Sequence, residues 1–362
     1  MDYRKYIFVE LDVFLNISLI IILYTTKNYI LYLIIKFICR IFENLIISMC
    51  ANKMYPYIKE KSIALDKETH KSIVQKVKGL FFHKIGSFIV LGTDNIIISK
   101  YLGNIIVAYY SNYYMIINAA STLLSQIFGV LTASVGNLLV ENNKEKSYDL
   151  YKKLMFFNFW IYSFAAIGIL LAMNSFISLW VGSERVLELS VLIVLVLNFY
   201  MMGMRSSIGC YKDAAGIFYE DRYIPLIESL LNIVFSIILV KYFGLLGIFI
   251  GTMFSSFVVV FFSLPYYVYK TVFKRNITDY YKLYFRYLIL TILTGVISYI
   301  VFILIINMAN ITNYFVEFII AVLIAVIIPN LIYLLIFYKK EEFQYFYNII
   351  KSMKNKIFKI EK

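Results

Sequence analysis

The chain has 362 residues, of which 61% are hydrophobic and only 16% charged, and its formal net charge is +13. An ordinary soluble domain is about half apolar and about a quarter charged, so this composition excludes one and points to a polytopic helical membrane protein. The basic excess does not call for nucleic acid: the lysines and arginines sit in short loops between apolar stretches, where anionic headgroups and topology account for them.

A spanning helix needs about 20 mostly apolar residues. Ten stretches qualify: 8–26, 29–50, 79–99, 104–138, 155–180, 187–208, 223–241, 245–269, 285–308 and 313–338. The first opens with Glu10 and Asp12 and lacks a small-residue cleavage site, so it does not read as a cleavable signal peptide. Between the second and third spans, Ile63, Leu65, Ile73, Val74 and Val77 alternate with lysines, the pattern of an interfacial helix within a basic linker over 53–78. The stretch 104–138 is too long for one straight crossing and is expected to tilt or to extend past the bilayer. The tail from 339 interleaves aromatics with lysines and is expected to lie on the headgroups. With the N-terminus placed in the cytoplasm, twenty-seven lysines and arginines fall in inward loops. Only Lys27, Lys100, Arg185 and Lys241 fall in outward ones. That asymmetry predicts both termini on the cytoplasmic side of a bacterial plasma membrane. The outward connections are too short to hold a domain.

Ionisable residues at bilayer depth cost about 2.5 kcal/mol or more, so each calls for a reason. Lys36, Arg40 and Glu43 fall within one arc of the second span. They form either a cationic cavity face, where the planar arginine fork suits phosphate, or an internal Arg40–Glu43 pair. Asp94 and Asn95 lie near the outer end of the third span, opposite Ser111 and Asn112 on the returning fourth, which are expected to bond Asp94. They read as a cation or proton site, a gate, or a polar clamp on the hairpin. The fourth span carries Ser111, Asn118, Thr122, Ser125, Gly129, Thr132 and Gly136 at steps of three, four and seven, with Gln126 and Asn137 alongside. This stripe either lines a cavity or permits close helix packing. Pro225 marks the start of the seventh span, where Glu228 and Asn232 share a face. Arg205 is expected to snorkel to a headgroup, and Glu317 to sit at the outer interface.

Cys39, Cys50 and Cys210 have no C-x-x-C spacing and read as small buried residues. His70 and His83 are isolated, so neither a catalytic constellation nor a metal set is expected. No glycine-rich phosphate loop is present to drive transport with ATP.

Several stretches resemble polysaccharide flippases of the multidrug/oligosaccharidyl-lipid/polysaccharide exporter superfamily. They are GTDNIIISKYLG at 92–103, YYSNYYMIIN at 109–118, SQIFG at 125–129, SVGNLL at 134–139, EKSYDLY at 145–151, NFWIY at 158–162 and LWVG at 179–182. The likeness resumes with YKDAAGIFYEDRYIPLIESLLN at 211–232 and FGLLGIFIGT at 243–252. The resemblance implies a MATE-like bundle of two six-helix lobes, here lacking about four N-terminal helices. On that reading 1–52 closes an incomplete first lobe, 79–270 is a complete second lobe, 271–338 adds two helices, and 339–362 is a basic tail. It implies flipping of undecaprenyl-pyrophosphate-linked repeat units for capsule, exopolysaccharide or O-antigen. Arg40 and Lys36 would face the pyrophosphate, with Glu43 beside them, and a proton or sodium ion would serve as coupling ion. Membrane lipids, a polymerase and chain-length proteins are the implied partners. The competing expectation is a non-transporting remnant or accessory subunit. A polymerase or acyltransferase fits poorly without a large outward loop or catalytic histidines.

Overall fold

The computed structural model describes residues 3–59, 65–141 and 143–360, with side chains from Leu15 onward except 58–59, 91 and 353–360. Arg4, Lys5 and the last tail lysines therefore lie outside the described side chains. The described residues form α-helices and short 3-10 and π turns, with no strand among them. The protein is an all-α polytopic membrane protein. Among the described residues, seven helical runs are long and apolar enough to cross a bilayer.

The chain divides into two units, 1–69 and 70–362. The first holds α1 (Tyr3–Thr26) and α2 (Tyr29–Met54), joined at Lys27, whose φ of 52° turns the chain. Asn28 caps α2 by accepting from the N–H groups of Ile30 and Leu31. The charges of α2 keep it out of the strictly apolar class, although it covers the expected second span. No separate helix occupies the described part of the linker: after a 3-10 turn at Pro56–Lys59, residues from Lys67 onward already belong to α3 (Lys67–Leu102).

In the second unit α3 is followed by α4 (Asn104–Val140), α5 (Lys144–Trp180), α6 (Leu189–Met204) and α7 (Ser206–Ala215). Next come α8 (Ile224–Val258), α9 (Val260–Val268), α10 (Thr278–Met308), α11 (Tyr314–Phe337) and α12 (Glu341–Ile360). The helix α5 is the hub, with sixteen buried residues. Phe159 stacks on Tyr287 of α10 at 4.4 Å and packs against Tyr333 of α11 at 4.9 Å. Trp160 donates to Asn330 of α11 at 2.7 Å, a tie of roughly 1 kcal/mol in a membrane interior. The tail helix α12 also docks on α5, with Phe346 stacked on Phe157 and Phe343 on Trp160. Its start is therefore held by protein.

The expected seventh span is the first arm of α8, and the expected eighth is its second arm continued through α9. Gly244, at φ 56° and ψ −134°, breaks the helix, and the arms return antiparallel. A Cβ on Gly247 would lie 2.2 Å from the Leu239 carbonyl oxygen, and one on Gly251 would lie 2.7 Å from the Ser236 nitrogen. These glycines let the two backbones touch, as small residues do in membrane bundles. Gly247→Ala has no flexible side chain to push aside. It is expected to lower stability by about 1–3 kcal/mol, read as a fall in the thermal unfolding midpoint in detergent.

Candidate functional site

Three polar rungs cross the α8 hairpin at helical spacing. Ser236 Oγ donates to the Ile248 carbonyl at 3.2 Å, Asn232 Nδ2 to Thr252 Oγ1 at 2.9 Å, and Ser256 Oγ to Glu228 Oε1 at 2.6 Å. Pro225 sits in the first turn, as expected. The middle rung continues into α3: Thr93 Oγ1 donates to Asn232 Oδ1 at 3.3 Å, and Thr252 Oγ1 reaches Asp94 Oδ2 at 3.5 Å. Asp94 is buried, and its Oδ1 has no hydrogen-bond partner. The expected bond from α4 is therefore corrected. Asp94 turns toward α8, Ser111 donates to its own Val107 carbonyl, Asn112 is half-buried, and Asn95 is exposed. Sharing a depth with Asp94 was not enough, because the aspartate lies on the α8-facing side of α3.

The α4 stripe is open over its central part. Asn118, Thr122, Ser125, Gln126 and Gly129 are exposed, and a Cβ on Gly129 or Gly136 would meet nothing within 4 Å. Asn118 lies about 21 Å into the helix, well away from either end. Close packing within this unit is thus excluded for that stretch. Thr132 departs from the stripe and meets Cys210 of α7 at 3.0 Å. Cys210 is buried as expected, whereas Cys39 and Cys50 are only half-buried.

A cluster that sequence reading missed joins α3 to the α7–α8 connection. His83 Nε2 lies 2.7 Å from Asp221 Oδ1 and 3.3 Å from Lys212 Nζ, while Lys212 Nζ lies 2.5 Å from Asp221 Oδ2. Lys212 and Asp221 are almost fully buried. In sequence Lys212 looks like a loop charge and His83 an isolated residue, and 138 residues separate His83 from Asp221. The available signal was the composition of 211–222, which places both signs of charge beside aromatics.

Arg205 also corrects its expectation. Its guanidinium is only 17% exposed and points inward, with Nη1 3.7 Å from Glu228 Oε1. The helix breaks there between α6 and α7, and Asn158 Nδ2 satisfies the freed carbonyls of Gly203 and Met204 at 3.1 and 3.0 Å. An available carboxylate on α8 makes pairing a better outcome for Arg205 than snorkelling. In the first unit, Arg40 Nη1 contacts Glu43 Oε2 at 2.5 Å, and Lys36 Nζ lies 5.7 Å from the Tyr32 ring centre. The pairing expectation is met, and Arg40 remains 53% exposed.

No family model and no curated protein matches the chain. Among solved structures, "Lipid II flippase MurJ, inward closed conformation" is similar at 17% identity and a TM-score of 0.46. That match covers 88% of this chain and 66% of the other, so this chain spans about two thirds of the solved structure's length.

The His83 cluster generates a stability prediction. Asp221→Asn leaves a buried ammonium without its counter-charge and is expected to cost about 3–5 kcal/mol. Replacing both partners, Lys212→Met with Asp221→Leu, is expected to cost less than Asp221→Asn alone. Thermal unfolding of the two variants in detergent checks the ranking.

Proposed function

We propose that this chain takes part in flipping a polyprenyl-pyrophosphate-linked oligosaccharide, the repeat unit of a surface polysaccharide, across the plasma membrane. The observation that carries the reading is the exposed polar face of α4. Hydrocarbon offers no hydrogen-bond partner, so amide and hydroxyl side chains exposed at this depth face water or a polar ligand. Asn118 and Gln126 present amide donors and acceptors for sugar hydroxyls, and Thr122, whose hydroxyl donates to the Asn118 carbonyl at 2.8 Å, adds an acceptor. The sequence resemblance over 79–182 agrees with this reading. In the first unit, Arg40 and Lys36 carry the positive charge that the resemblance assigns to a pyrophosphate, with Glu43 contacting the Arg40 guanidinium. The lipid tail stays in the bilayer.

Energy enters at Asp94. Its Oδ1 has no hydrogen-bond partner, and its Oδ2 is reached by Thr252 Oγ1, which also bonds Asn232 of the other arm. A small cation or a proton bound there removes the cost of a buried carboxylate and ties α3 to both arms of α8.

Two measurements test this. In cells whose surface polysaccharide depends on the protein, the triple change Asn118→Leu, Thr122→Leu and Gln126→Leu is expected to lower export by roughly tenfold or more while the protein stays folded and abundant. Unchanged export sinks the proposal. With repeat units and protein in liposomes, Asp94→Asn is expected to abolish the response to a sodium or proton gradient. A full gradient response in that variant removes Asp94 from coupling.

A further inference from the structure

A cavity of about 590 Å³ opens where α4 ends and α5 begins, at the end of the bundle that the charge count assigns to the cytoplasm. Its lining includes Asn143, Lys144 and Ser147 of the α4–α5 junction, Ala215 at the end of α7, and Thr271 and Lys274. We propose that this cavity is a binding site for a phosphate ester, such as the headgroup of an anionic phospholipid.

Three independent features converge there. The first is charge: Lys144 and Lys274 line the cavity from two different segments, and both are exposed. The nearby acids are engaged elsewhere. Glu141 Oε2 accepts from Lys146 Nζ at 2.7 Å, and Glu145 holds the Arg275 guanidinium, which also lies 4.4 Å from the Tyr148 ring centre. The two lining lysines are thus left as surplus positive charge. The second is the helix terminus. The first N–H groups of α5 have no intrahelical acceptor, and Asn143 Oδ1 satisfies that of Lys146 at 3.0 Å. Those remaining favour an anion at this end, reinforced by the dipole of a 37-residue helix. The third is Ser147, which is 97% buried yet lines the cavity. Its hydroxyl makes no hydrogen bond among the described residues, whereas its carbonyl accepts from the Tyr211 hydroxyl at 2.8 Å. The Ser147 hydroxyl is left free to bond a ligand in the cavity it lines.

The cavity lies outside both the α4 polar face and the Asp94 set, so its test is independent of transport. Full-length protein in detergent is titrated with short-chain phosphatidylglycerol, short-chain phosphatidylcholine and inorganic phosphate, with binding read by native mass spectrometry. Phosphatidylglycerol is expected to bind in preference to phosphatidylcholine. Lys144→Gln with Lys274→Gln is expected to weaken binding by about thirtyfold, the combined effect of two basic residues at a headgroup. Ser147→Ala, which keeps every charge, is expected to weaken it severalfold. Displacement of the lipid by millimolar phosphate would assign the same site to a soluble phosphate, and resistance would assign it to the lipid headgroup. Lys146→Gln removes an equal charge from a side chain already paired with Glu141 and is expected to change nothing. Equal weakening by Lys146→Gln would overturn the site in favour of diffuse surface charge. Undiminished binding in the double variant would overturn it outright.

Discussion

Inside a bilayer a polar side chain cannot fall back on water, and most of this architecture follows from that constraint. The α8 hairpin shows it most directly. Its two arms are apolar outward, and each inward polar group meets a partner one helical turn from the next. Glu228 takes Ser256, Asn232 takes Thr252, and Ser236 takes a backbone carbonyl. The register of these rungs depends on Gly247 and Gly251, which bring the two backbones into contact. Polar pairing and small-residue packing are therefore one device here.

The same constraint governs the break between α6 and α7. Ending a helix inside a bundle strands carbonyls, and Asn158, fully buried on α5, supplies both missing donors. With its backbone satisfied, Arg205 can turn inward to Glu228. The hub helix α5 thus combines an aromatic core with the hydrogen bonds that permit an irregular neighbour. Its stacking on Tyr287 and Tyr333 holds α10 and α11 against the rest of the unit.

Where the constraint is left unmet, function is the natural place to look. Asp94 keeps one carboxylate oxygen without a partner, and α4 exposes the amides of Asn118 and Gln126 at depth. Both departures involve residues that a purely structural bundle would replace with aliphatic ones. Helical membrane proteins place water, ions or polar cargo at such positions.

Sequence alone determined which stretches are apolar helices. Hydropathy over about 20 residues is a local quantity, and each of the ten expected stretches is largely helical, although 187–208 is split at Arg205 and 245–269 runs across α8 and α9. The periodicity of α4 was legible for the same reason, as was the shared face of Glu228 and Asn232. Tertiary structure decided the partners. Asp94 met Thr252 rather than Asn112, Arg205 met Glu228 rather than headgroups, and His83 joined Lys212 and Asp221 from 129 and 138 residues away. Hydropathy records which residues enter the membrane. Which face of a helix meets which neighbour depends on packing among helices distant in sequence, and a local pattern does not encode it.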